Sequence, residues 1–184
     1  MGKWFIVYSS LTGNTEKVGQ AILAGAPEGS VAKNCREVDD FLTESADFDV
    51  IVVGYWLKRG GADPLTMKIL PQITGKRVIL FETHGTMPNT EHAITAFARA
   101  AYQLGGDCEI LGTFACQGKI NPKLIARRQD APADDPHGPS EKNQQRWAVG
   151  AERPNEEDLQ AAKDFAAAMQ RKIEIIARYR EKQA

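Results

Sequence analysis

Seven residues near the N-terminus, Ser9-Ser10-Leu11-Thr12-Gly13-Asn14-Thr15, bring four hydroxyls, an amide and a glycine between an apolar run and a helical pattern. A helix starting there presents free backbone N–H groups and the positive end of its dipole, which suits an anion. Gly13 lets the chain turn tightly around a phosphate. The loop holds no lysine and the pattern G-x-x-x-x-G-K-[ST] is absent, which argues against a triphosphate with magnesium. Neutral donors suit one terminal phosphate. A helix cap needs a single hydroxyl, and this loop has four.

Two further segments follow apolar runs and carry groups that suit a planar ligand. One is Gly54-Tyr55-Trp56-Leu57-Lys58-Arg59-Gly60-Gly61, the other Glu82-Thr83-His84-Gly85-Thr86-Met87-Pro88. Trp56 offers a flat face for a heterocycle, although an aromatic at a strand end also serves as core packing. Gly54, Gly60, Gly61 and Gly85 allow close backbone approach to a ligand. His84 is a candidate to donate to the ligand or shuttle a proton, against the plainer reading of a solvated loop histidine. Glu82 reads as a cap on the sheet edge. Cys116 is a second catalytic candidate, with a small buried residue as the plainer reading. No H-E-x-x-H, cysteine cluster or spaced carboxylate set suggests a metal.

These segments need a scaffold that holds them side by side. Strand patterns cover Lys3–Tyr8, Val31–Cys35, Asp49–Gly54, Arg77–Phe81 and Cys108–Ala115. Near-continuous β-branched runs suit strands buried on both faces of a parallel sheet. Helical patterns at Thr15–Ala24, Leu65–Ile73 and Glu91–Leu104 alternate with them, which predicts an open α/β sheet. Residues 117–154 show little periodicity and predict an irregular extension, of the kind that is usually functional or disordered. Residues 155–182 predict one helix, capped by Asn155 with Asp158 and roughly 42 Å long. Five-residue strands would not cover that length, so its end is expected to project. The whole of 1–184 reads as a single domain.

The chain has 184 residues, with 23 Lys plus Arg, 24 Asp plus Glu and a net charge of −1. That balance argues against a strongly basic nucleic-acid binder. No stretch approaches 18 consecutive apolar residues, so no membrane association is expected. The N-terminus lacks the layout of a signal peptide. Cys35, Cys108 and Cys116 form no C-x-x-C pair and fit a reducing, cytoplasmic setting.

The loop Ser9–Thr15, following Trp4-Phe5-Ile6-Val7-Tyr8, resembles the FMN phosphate loop of the flavodoxin family. The segments 54–61 and 82–88 resemble the loops that hold the isoalloxazine ring there. The resemblance implies a flavodoxin-like, doubly wound five-stranded parallel sheet of order 2-1-3-4-5, with helices on both faces and FMN at the switch point. It assigns cofactor contacts to Ser9, Ser10, Leu11, Thr12, Gly13, Asn14, Thr15, Gly54, Tyr55, Trp56, Leu57, Gly60, Gly61, Thr83, His84, Gly85 and Thr86. Gly60 or Gly61 would supply the peptide that meets the flavin nitrogen. Phe114–Lys119, His137-Gly138-Pro139 and Pro154–Leu159 resemble a bacterial branch with a C-terminal extension.

The implied function is electron transfer to or from a redox-partner protein or reductase. The alternative is an FMN-dependent oxidoreductase directed at quinone, flavin or tetrapyrrole, with 117–154 as a substrate lid. A third reading is a scaffold without flavin, which the intact phosphate loop argues against. The family's small carriers are acidic and this chain is near neutral. Lys58, Arg59, Lys119, Lys123, Arg127 and Arg128 lie in or near the site segments. Basic surroundings would favour two-electron chemistry or an anionic client. The extension and the long helix are expected to serve a homodimer or a partner complex.

Overall fold

The computed structural model describes residues 2–87, 90–132 and 134–183. Its order is β1 (Trp4–Tyr8), α1 (Asn14–Ala24), β2 (Val31–Asn34), α2 (Phe41–Ser45), β3 (Val50–Lys58), β4 (Gly61–Ala62) and α3 (Thr66–Ile69). There follow β5 (Arg77–His84), α4 (Glu91–Tyr102), β6 (Glu109–Gln117), α5 (Pro122–Gln129), α6 (Glu141–Ala151) and α7 (Glu156–Glu181). The sheet runs β2-β1-β3-β5-β6, all parallel, with the short β4 antiparallel to β3. Leaving β4 aside, this is the five-stranded order 2-1-3-4-5.

Period-2 alternation divides the core into two layers. Trp4, Ile6, Tyr8, Val50, Val52, Ile79 and Phe81 meet Val18 and Ile22 of α1 and Ala162 and Ala166 of α7. Phe5, Val7, Ile51, Val53, Tyr55, Val78 and Leu80 face the other way, against Phe41, Ile69 and Ala100 of α2, α3 and α4. Gly54 is required by this packing. A Cβ there would lie 2.0 Å from the Phe81 ring.

Several boundaries differ from the sequence pattern. β3 runs to Lys58, β5 to His84 and β6 to Gln117, because the ladder continues through Tyr55↔Glu82, Trp56↔Thr83, Thr83↔Cys116 and His84↔Gln117. Polar residues at the ends of β5 and β6, and Gly54 within β3, made these strand ends look like loops. The third strand then turns back through Arg59 (φ 53°) and Gly60 (φ 77°) into β4, the paired positive-φ geometry of a tight two-residue hairpin. β2 stops at Asn34, whose side chain caps a short 3-10 turn at Cys35–Glu37. α3 is shorter than Leu65–Ile73, giving way to a 3-10 turn at Leu70–Gln72, where Pro71 supplies no N–H to continue the helix. α2 is capped by Asp40, which accepts from Leu42 and Thr43 N–H.

The extension 117–154 is not irregular: it contains α5 and α6. Asn121 caps α5 with Pro122 in its first turn, and Ser140 caps α6. Their periodicity is faint because α5 buries no residue and α6 buries only Asn143, Trp147 and Gly150.

The long helix is present, with a reciprocal capping box between Asn155 and Asp158. It does not overrun the sheet by a long stretch. β6 has nine residues, not five, about 30 Å of strand, and α7 runs back along it. Asp158 lies beside Cys116, Lys172 Nζ donates to Leu111 O, and Arg180 reaches Glu109 at 3.2 Å. The stripe is packed through Ile173 and Ile176. Ile175 and Tyr179 stay exposed. No helix among the described residues is long and apolar enough to cross a membrane.

Candidate functional site

The sequence-marked loop lies at the carboxyl end of β1, where ligands bind in open α/β sheets. Ser9 N–H donates to Gly54 O at 2.9 Å, which extends the β1–β3 pairing by one bond and buries Ser9. The chain then turns through Gly13 at φ 86°, and a Cβ there would have no heavy atom within 4 Å. Gly13 itself has no side chain to cap α1. The first N–H groups of the helix, those of Asn14 and Thr15, therefore have no intrahelical acceptor. Ser10 Oγ accepts from Gly13 N at 3.1 Å and Glu16 N at 3.4 Å, and its hydroxyl proton stays available to donate. Thr12 and Leu11 lie exposed at the loop tip.

Two loop side chains are already committed. Asn14 Nδ2 donates to Lys119 O at 2.9 Å. The buried hydroxyls of Thr15 and Thr83 share a hydrogen bond at 2.8 Å. The second of these ties the loop to β5. Thr83 sits beside Trp56 in the β3–β5 register, so Thr15, Thr83 and Trp56 form a line on the α1 side of the sheet edge. Trp56 is half-buried, and Lys58 Nζ stands 5.9 Å from its ring centroid. The loop could hold a phosphate monoester through Ser10, Thr12 and the α1 N–H groups. Trp56, one strand over, could flank a planar ring.

The remaining glycines divide. Gly54 is filled by Phe81, and a Cβ on Gly85 would lie 2.5 Å from Ile120. Both serve core packing in this structure. Gly60 O accepts from Arg99 Nη1 at 2.9 Å, which ties the hairpin turn to α4. Gly61 has open space around it. Thr86 lies just past β5, its hydroxyl 3.5 Å from that of Thr90 and its carbonyl 3.1 Å from His84 Nδ1. Pro88 of this segment lies outside the described residues.

Tyr55, Leu57, Glu82 and His84 point away from that line. Tyr55 packs edge-on to Phe97 of α4 at 6.2 Å, and Leu57 joins the same apolar layer. Glu82 is not a sheet-edge cap, and His84 is not a solvated loop histidine: they are 0% and 4% exposed. Tyr55 Oη, both Glu82 oxygens and His84 Nε2 have no hydrogen-bond partner among the described residues. Burial pushes the Glu82 carboxyl up to about 8, so it is mostly protonated at neutral pH. Burial also holds His84 below its ordinary range, and the Tyr55 phenol stays far above its own. A glutamate directly after the apolar run Val78–Phe81 is the sequence signal for this cluster. Cys116 is buried, with Sγ donating to Gln117 O at 3.1 Å, and burial raises its thiol to about 12. It is a packed thiol, not a poised nucleophile. No group of three metal-ligating side chains occurs among the described residues.

Beyond β6 the chain crosses back over this edge. Gly118 N donates to His84 O at 2.9 Å, and Lys119 N to Arg153 O at 2.8 Å. Gln117 Nε2 reaches Arg146 O at 3.5 Å, and Gly150 packs on Gln117. With Asn14 bonded to Lys119, the α5–α6 insert is anchored beside the β1–α1 loop.

Comparison with known proteins bears on the fold and the family. The chain is 29% identical over 177 residues to a flavodoxin-like domain-containing protein, BilS, from Clostridioides difficile, covering 95% of this chain and 99% of that one. Its fold is similar to oxidised flavodoxin 2 from Bacillus cereus, at 19% identity and TM-score 0.55, covering 92% of this chain and 99% of that one. It is also similar to a flavodoxin, WrbA-like protein from Agrobacterium tumefaciens, at 14% identity and TM-score 0.56, covering 92% and 95%. The family model of the flavodoxin domain matches residues 5–167. The chain belongs to the flavodoxin-domain family, a family of redox proteins that transfer electrons.

Proposed function

We propose that the protein binds FMN at the β1–α1 loop and passes electrons to or from a protein partner. The observation that carries this is the start of α1 at Gly13, where the Asn14 and Thr15 N–H groups have no intrahelical acceptor, joined through Thr15 and Thr83 to Trp56. One terminal phosphate fits the neutral donors of Ser10, Thr12 and the α1 N–H groups. When bound, FMN supplies one- or two-electron redox chemistry at its ring. Trp56 gives the ring an aromatic neighbour, and Lys58 and Arg59 keep positive charge nearby, favouring an anionic state or client. Thr15 and Thr83 use their hydroxyls on each other and hold the spacing between phosphate and ring. The three free thiols fit a reducing cytoplasm.

The α5–α6 insert, folded beside the loop through Asn14 and Lys119, favours a second reading. There the protein is an FMN-dependent oxidoreductase and the insert walls a substrate. Steady-state oxidation of NADPH or NADH by the purified, FMN-loaded protein separates the two. A carrier turns over only when a reductase is added. Turnover without one, with a quinone or free flavin as acceptor, contradicts the carrier reading.

A further inference from the structure

The insert holds a cation whose binding edge has no acceptor. Arg146 of α6 is half-buried, and its Nε and Nη2 are both closed to solvent and without a hydrogen-bond partner among the described residues. These two nitrogens form one edge of the guanidinium, the fork that matches two oxygens of a carboxylate or phosphate. Arginine cannot shed its charge to escape burial. A buried charge left unpaired is costly, and Arg128 of α5 lies near enough to add like-charge repulsion.

Acidic residues are at hand but do not answer it. Asp130, Asp134, Asp135 and Glu141 belong to the same insert, yet no ion pair joins any of them to Arg146 or Arg128 among the described residues. Asp135 spends Oδ1 on His137 N–H at 2.7 Å. We propose that Arg146, with Arg128 beside it, is an oxyanion-binding site that takes a carboxylate or phosphate group on the Nε/Nη2 edge. α6 is tethered at the sheet end by Gly150 against Gln117 and by a long 3.5 Å bond from Gln117 to Arg146 O. Gln117 pairs with His84, and Gly118 adjoins Asn14, so the site borders the region where flavin is proposed. Its oxyanion comes either from a client or from the flavin phosphate. That choice of source rests on the FMN reading, whereas the site itself does not.

The test uses the full chain without flavin. Inorganic phosphate and succinate are titrated by calorimetry and thermal shift, against chloride at matched ionic strength. The wild type shows saturable binding of one of them, and Arg146→Lys and Arg146→Met weaken it about tenfold or more. Lysine keeps the charge and loses the fork, so its deficit reads geometry. FMN and riboflavin are then titrated into wild type and Arg146→Lys. A loss confined to FMN assigns the oxyanion to the flavin phosphate, and unchanged affinity for both assigns it to a client. Either result supports the site. No saturable anion response in the wild type, or a response undiminished in both variants, overturns it.

Discussion

At the residue scale the four hydroxyls of the loop separate into two jobs. Ser9 and Thr15 are buried and Thr15 is bonded to Thr83, whereas Ser10 bonds the start of α1 and Thr12 is exposed at the loop tip. Thr12→Val should therefore weaken FMN by about tenfold and leave riboflavin unchanged, as fluorescence titration would show. Thr15→Val should instead cost about 1–3 kcal/mol of stability, because it leaves Thr83 without its partner. Trp56→Ala should brighten bound flavin and weaken its binding; unchanged emission and affinity would remove Trp56 from the site. Glu82 gives a pH dependence of definite sign. Its carboxyl titrates near 8 in the folded chain against 4.5 ordinarily. Between those values the unfolded chain has released the proton and the folded chain has kept it, so this group makes stability fall as pH rises from about 4.5 to 8. Below and above that window it adds no slope. Glu82→Gln should flatten the decline by up to a few kcal/mol, read from urea unfolding at pH 5, 7 and 9. The loop was legible in the sequence because hydroxyl and glycine types at a strand–helix junction have few other uses. The inward turn of Tyr55, Glu82 and His84 was not, since alternation assigns a face only once the strand end is known.

At the element scale the pattern located every long strand and the helices α1, α4 and α7, and it erred at the strand ends and in the insert. β3 and β5 each continue past the apolar run, because backbone pairing carries Tyr55, Trp56, Glu82 and Thr83 inside the sheet. α5 and α6 escaped notice for the opposite reason: their faces are mostly exposed, so hydrophobic periodicity had little to report. α7 was legible at its start, where Asn155 and Asp158 cap each other. Asn155→Ala should cost about 0.5–2 kcal/mol, measured by denaturant unfolding. Truncation after Arg153 removes Ala162 and Ala166 from the layer that holds Trp4, Ile6 and Phe81. The shortened chain should lose cooperative unfolding and most of its flavin affinity, because α7 closes one face of the sheet. A truncated chain that stayed folded and flavin-loaded would show that α1 alone closes it. If the exposed Ile175 and Tyr179 serve a homodimer, Tyr179→Glu should shift the full chain toward monomer in light scattering.

At the scale of the whole molecule, two apolar layers fix a parallel sheet and leave its carboxyl edge to carry the chemistry. The β1–α1 loop, the β3–β4 hairpin and the segment after β6 converge there, held by Thr15 to Thr83, Arg99 to Gly60 and Asn14 to Lys119. We propose that this edge recognises a flavin by its single phosphate. Titration of the flavin-free full chain with FMN and riboflavin in parallel, followed by flavin fluorescence, tests it most directly. FMN should bind about 100-fold more tightly than riboflavin, the phosphate contributing roughly 2.7 kcal/mol through several charge-assisted hydrogen bonds. Equal affinity for the two flavins would contradict it.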